Sequence, residues 1–184
     1  MTWQPAQELL PPPRRPGAPY RIAIVCLGNI CRSPMADVVL TRKLEVAGLD
    51  HDVEVVSAGT GHWHIGDPMD RRAAAVLTAH GYDASAHRAQ QFDASWHEQF
   101  DLVLAMDADN YADVAAMDHS DDAKSRLRMF RDFDPRATSG NREVPDPYFG
   151  GEDGFDTVLA MVERTATEIV RALQAAPYFD RTGE

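Results

Sequence analysis

"RIAIVCLGNICRSP", residues 21–34, runs an apolar stretch directly into a short loop that holds both cysteines of the chain and an arginine. Residues 21–26 are short, apolar and β-prone, as expected of a strand covered on both faces. Ser33 and Pro34 read as the cap and first position of a helix that continues to about Val46, with Gly48 as its stop. A strand that passes through a glycine-containing loop into a helix predicts an α/β fold. Ligands in such folds sit at the carboxyl ends of the strands, and Cys26 lies at one.

The pattern repeats outward from this unit. Residues 52–57 and 101–105 read as further strands, and residues 126–130 as a fourth. Residues 69–80 carry helical periodicity and end at Gly81, and a helix is expected over 108–117. Residues 153–174 form a long amphipathic helix with Phe155, Val158, Leu159, Val162, Ile169 and Leu173 near one face. The alternation predicts a four-stranded parallel sheet flanked by helices on both faces, with a phosphate-binding loop after the first strand. Residues 20–184 are expected to form a single domain. Residues 1–19 hold six of the twelve prolines and are expected to be a proline-rich, disordered arm.

Composition narrows the function. The chain has 184 residues, 44% hydrophobic and 26% charged, ordinary values for a globular domain. A formal net charge of −11 argues against nucleic-acid binding through a broad basic surface. No stretch approaches the roughly 18 apolar residues of a membrane span, so no membrane insertion is expected. The N-terminus lacks a secretory apolar core, and two cysteines five apart are no disulfide framework. A cytoplasmic protein is the expectation; its oligomeric state is not legible.

The loop itself suits an oxyanion. Gly28 lets the backbone curl so that successive N–H groups point inward as an anion nest. The following helix adds unpaired N–H donors and the positive end of its dipole. Arg32 can grip two phosphate oxygens with its planar fork. The same positive field favours a thiolate at Cys26, to which Ser33 can donate. A dianion and a nucleophile are thereby held together, which is the layout of a cysteine phosphatase. Zinc would need further ligands at suitable spacing, and a thioredoxin-type pair would show Cys-x-x-Cys, so neither a metal nor a cofactor is expected.

The run "VCLGNICRSPMAD" resembles the signature of the low-molecular-weight protein tyrosine phosphatases. The segments "SAGTGHWHIGDPMD" (57–70), "HRAQQF" (87–92), "LVLAMDADN" (102–110) and "VPDPYFG" (144–150) match that family in order. The resemblance covers about residues 21–175 and leaves the proline-rich segment outside. It implies that Cys26 is the nucleophile, forming a phosphocysteine, and that Arg32 binds the phosphoryl oxygens. It implies that Asp146 is the acid for the leaving phenolate and then the base for water. Leu27, Gly28, Asn29, Ile30, Cys31 and Ser33 would surround the phosphate, with Trp63 and Tyr148 as aromatic walls for a phenyl ring. Asn29, Ser33, Ser57 and His87 would hold the loop in shape, with Asp107 as a further polar partner of His87. Phe149 departs from the family's usual second tyrosine and removes a hydroxyl.

The implied partners are tyrosine-phosphorylated proteins, with small aryl phosphates also accepted. Three alternatives differ at readable positions. Protein arginine phosphatases tend to carry threonine where this chain has Ile30. Related arsenate reductases relay electrons through later cysteines, and none follows Cys31. A non-catalytic phosphotyrosine-binding module would have lost Cys26, Arg32 or Asp146, and all three are present.

Overall fold

The computed structural model describes residues 5–179. Strand β1, Tyr20–Cys26, is followed by helix α1, Arg32–Ala47, and strand β2, Val53–Gly59. Helices α2, Arg71–Ala79, and α3, Trp96–Gln99, precede strand β3, Leu102–Ala105. Helix α4, Ala108–Met117, and helix α5, Asp121–Arg126, lead to strand β4, Leu127–Met129. Helix α6, Asp153–Ala175, follows after a long loop. The four strands are parallel in the order β2-β1-β3-β4.

Alternation along β1 builds the two layers. Ile22 and Ile24 join the apolar cluster made with α1, α2 and α6, while Ala23 and Val25 face Phe92, Phe100 and Val114 on the other side. The period-two side-chain rule of a strand thus gives the sheet two buried faces. The chain leaves β1 towards β2 on one side and returns at β3 on the other. The crevice between β1 and β3 is therefore the topological switch point.

Four local differences from the sequence expectation have physical causes. Helix α1 begins at Arg32 with Cys31 at its N-cap, two residues earlier than a Ser33 cap and Pro34 start suggested. The Ser33 hydroxyl is instead turned onto the Cys26 sulfur, and Pro34, lacking an N–H, is tolerated in the first turn. The fourth strand keeps only Leu127–Met129, because Arg126 still ends α5 and Phe130 already opens a 3-10 turn, Phe130–Phe133. Helices α3 and α5 are one to two turns long, too short for an apolar period to show.

The largest correction concerns the expected disordered arm. Residues 5–19 pack on the domain, with a 3-10 turn at Ala6–Leu9 and Leu10 buried in the core. The Tyr20 hydroxyl donates to the Pro11 carbonyl at 2.9 Å and the Arg126 guanidinium to the Pro12 carbonyl at 2.8 Å. Arg14 reaches the Phe100 carbonyl at 2.8 Å and the Asp122 carboxylate at 2.6 Å. Prolines need no ladder donors, so side chains of the domain and one arginine anchor an otherwise extended segment. Residues 1–4 of the expected arm and 180–184 of the expected domain lie outside the described residues.

Candidate active site

The loop after β1 is wound around the Cys26 sulfur. The Asn29 backbone N–H donates to Sγ at 3.3 Å, and the Ser33 hydroxyl stands 3.0 Å from it. Asn29 Nδ2 donates to Ser33 Oγ at 2.9 Å, and the serine hydroxyl lies between the Cys26 sulfur and the Ala58 carbonyl, 3.3 Å away. Winding the loop this tightly puts Asn29 at φ 55°, the left-handed region. Asn29 is fully buried and tied down by two outside partners. His87 Nε2 donates to its carbonyl at 2.7 Å, and the Gln90 N–H donates to its Oδ1 at 2.9 Å. Burial holds the His87 pKa below its ordinary value, which the Asn29 carbonyl offsets only in part.

Gly59, at the end of β2, makes room for the loop. A Cβ there would stand 2.6 Å from the Leu27 carbonyl oxygen, so no larger residue fits. Ser57, two residues earlier, is buried and accepts at its carbonyl from Gln90 Nε2 at 3.0 Å.

Arg32 is almost entirely enclosed and divides its fork. Nη1 donates to the Asp107 carboxylate and, at 3.1 Å, to the Val144 carbonyl; Nη2 donates to Asp146 Oδ2 at 3.1 Å. Burial disfavours the guanidinium charge, but the Cys26 sulfur, Asp107 and Asp146 outweigh it and raise its pKa. Asp107 also caps α4 by accepting from the Asn110 N–H at 2.7 Å. Its partner is therefore Arg32 and not His87, as expected from sequence. The reason is topological: Asp107 follows β3 across the switch-point crevice from Arg32, while His87 braces the loop from the β2 side.

Cys26, Leu27, Gly28, Ile30, Cys31, Arg32, Trp63, Asp146 and Tyr148 line one cavity of about 180 Å³. Asn29 and Ser33 lie beneath its floor; His87 braces it through the Asn29 carbonyl and Asp107 through Arg32, while Ser57 is linked to it through Gln90. Trp63 is 64% exposed and Phe149 95%, so the mouth carries a raised aromatic rim. Burial pushes the Cys31 thiol well up, helped by Asp70 and Cys26. Among the described residues, no group of three or more His, Cys, Asp or Glu side chains is placed to hold a metal ion.

Sequence reasoning missed three contributors. His64 lines the cavity and pairs with Asp67 at 3.0 Å. Arg72 donates to the Tyr148 carbonyl at 3.1 Å and lies over the Tyr148 ring, 5.5 Å from its centroid. Val144 offers only a backbone carbonyl, which no side-chain pattern announces. Position within "GHWHIGD" could have flagged His64; nothing local marks Arg72.

The chain is also similar to known proteins in sequence and fold. Residues 21–177 match the family described as low molecular weight phosphotyrosine protein phosphatase. A low molecular weight protein-tyrosine-phosphatase of Streptomyces coelicolor is 45% identical over 155 residues, 84% of this chain and 94% of that one. The low molecular weight protein-tyrosine phosphatase A of Mycobacterium tuberculosis is 44% identical over 145 residues, 79% of this chain and 86% of that one. A crystal structure of an Entamoeba histolytica protein tyrosine phosphatase, with Hepes in its active site, superposes with a TM-score of 0.79 at 32% identity. It covers 84% of this chain and 97% of that one.

Proposed function

The chain belongs to the low-molecular-weight phosphotyrosine protein phosphatase family, and from that premise we propose that it hydrolyses phosphotyrosine on proteins, and small aryl phosphates, through a phosphocysteine. One observation carries the mechanism: the Cys26 sulfur, donors aimed at it, the Arg32 fork and the Asp146 carboxyl share one small cavity. The thiolate attacks phosphorus, with the Asn29 N–H and the Ser33 hydroxyl holding its charge until it does. Arg32 carries the phosphoryl oxygens through the trigonal-bipyramidal transition state. Asp107 holds the fork from behind, so the guanidinium stays oriented when phosphate displaces Asp146 from it.

The protonated Asp146 gives its proton to the leaving phenolate, and the resulting carboxylate takes one from the water that attacks phosphocysteine. Inorganic phosphate leaves and the thiolate is regenerated. A positioned acid of this kind contributes roughly 10²–10⁴-fold. The aromatic rim of Trp63 and Tyr148 suits a phenyl ring standing above the phosphate. The two free thiols, Cys26 and Cys31, suit a reducing compartment such as the cytoplasm.

The test is a series of aryl phosphates with leaving groups of graded basicity. Wild type should turn them over and Cys26→Ser should not. In Asp146→Ala, kcat/KM should fall most for the most basic leaving groups. Turnover that survives Cys26→Ser, or an equal loss across the series in Asp146→Ala, would defeat the mechanism. Hydrolysis of phosphoarginine faster than phosphotyrosine would defeat the substrate class.

A further inference from the structure

Behind the acid loop lies a buried ionic cluster that the chemistry above does not use. Arg131, in the 3-10 turn Phe130–Phe133, is 2% exposed, and the Asp134 side chain is wholly buried. Arg131 Nε donates to Asp134 Oδ2 at 2.9 Å. Its Nη1 turns the other way, to the Asn141 side-chain oxygen at 2.8 Å and the Glu143 backbone carbonyl at 2.9 Å. Arg164, on α6, grips both oxygens of Asp134 at 2.7 and 2.8 Å. Burial alone would raise the Asp134 pKa, but the hydrogen bonds of Arg164, the Arg136 N–H and Arg131 hold it down at about 2.

An unbroken series of contacts runs from this cluster to the reacting atoms. The Glu143 carbonyl held by Arg131 belongs to the peptide unit that ends at Val144. The Val144 N–H donates to the Met106 carbonyl at 2.8 Å, and the Val144 carbonyl accepts from Arg32. Pro145 and Pro147, each with its φ fixed by the ring, then flank Asp146. The backbone approaching the acid is thus held at three consecutive points: by Arg131, by the end of β3 and by the catalytic arginine.

We infer that Arg131 is a positioning residue for the acid step: it sets where Asp146 stands relative to Cys26 by fixing the Glu143 carbonyl, without touching substrate. This rests on the phosphatase reading above. A merely structural role explains the cluster less well, because buried ion pairs are often replaced by apolar residues at no cost in stability. What no apolar residue reproduces is one planar group donating in two opposed directions, to Asp134 on α6's side and to the acid loop on the other. Lysine cannot span both either.

The experiment compares kcat/KM for phenyl phosphate and for an activated dinitrophenyl phosphate in Arg131→Met and Arg131→Lys. A misplaced acid is felt only where the leaving group needs its proton. Phenyl phosphate should lose roughly tenfold or more, and the activated ester less than about threefold. In an Asp146→Ala background, Arg131→Met should cost nothing further for either substrate. Equal losses for the two substrates, or losses that add to those of Asp146→Ala, would overturn the inference. If both Arg131 variants fail to fold, Asn141→Ala removes one tie from an exposed position and should show the same leaving-group pattern at smaller size. A uniform loss or none there would also overturn it. Wild type with normal turnover but no leaving-group effect of Asp146→Ala would defeat the acid assignment first, and this inference with it.

Discussion

His87 donates its Nε2 hydrogen to the Asn29 carbonyl at 2.7 Å and so braces the one non-glycine residue with positive φ among those described. A brace on strained backbone does more than an ordinary hydrogen bond, since the loop shape itself aims the Asn29 N–H at the Cys26 sulfur.

The first prediction follows from that contact. His87→Ala leaves a buried carbonyl without its donor, at a cost of about 1–3 kcal/mol in stability. Because the His87 pKa is lowered in the folded state, the unfolded chain binds more protons below the ordinary histidine pKa. This group's contribution is present at neutral pH and is lost progressively as pH falls below about 6.5 towards its lowered folded-state value. His87→Gln, which keeps an N–H donor but not the titration, should show a flatter dependence of melting temperature on pH between 7 and 5. Parallel curves for the two proteins would refute it.

Asp37 predicts the opposite slope nearby. It faces the same cavity of about 600 Å³ as Ser57 and His87, on the side of the loop away from substrate. Burial pushes its carboxyl up to about 6, with hydrogen bonds from Ser57 and Thr41 opposing. Its contribution is fully present below about pH 4 and is lost as pH rises through 6. Asp37→Asn should therefore gain, relative to wild type, on the order of 1–2 kcal/mol between pH 4 and pH 7.5. Thermal melts at the two values decide the matter, and an unchanged difference between the proteins would count against it.

The N-terminal segment should contribute to stability and not to rate. It crosses the amino ends of the strands, where Tyr20 begins β1 and Asp101 precedes β3; the Asp101 carboxylate accepts the Arg21 N–H at 2.7 Å and also that of Arg14. The Cys26 loop follows the other end of β1, at the carboxyl edge of the sheet. Leu10→Ala combined with Arg14→Ala should cost about 2–5 kcal/mol, mostly from the emptied Leu10 site. The kcat/KM for aryl phosphates should stay within about twofold. A melting temperature equal to wild type, or a large loss of activity in the folded variant, would contradict this.

What the sequence revealed and what it hid divide along contact range. The strand, loop and helix around Cys26 were legible because an apolar run, a glycine and an arginine follow one another within 14 residues. The phosphate-binding role proposed for Arg32 rests on the same local logic. Its pairing with Asp107 did not, because those residues lie 75 positions apart and meet only once β1 and β3 become neighbours. Arg131 was invisible for a related reason: in sequence it is one of many charged residues, and only the fold shows that it is buried. The N-terminal segment was misread because proline composition resembles disorder, whereas Leu10 and Arg14 supply anchors that composition does not weigh.

The last prediction concerns oxidation and pH together. Peroxide should carry the Cys26 thiolate to a sulfenic acid, and excess peroxide carries it irreversibly further. Cys31, five positions on in the same curled loop, can intercept it. Its thiolate would attack the sulfenic sulfur, forming the Cys26–Cys31 disulfide and expelling hydroxide, which leaves as water. Interception needs the Cys31 thiolate, and burial holds that thiol protonated well above its ordinary range. Capture should therefore be slow at neutral pH and faster as pH rises. After equal inactivation by peroxide, dithiol should restore more activity at pH 8.5 than at pH 6.5. Cys31→Ser should remain active before oxidation and recover poorly at both values. Recovery that is independent of pH in wild type, or equal in Cys31→Ser, would sink the scheme. So would a wild-type digest without a peptide linking Cys26 to Cys31 after mild oxidation at pH 8.5.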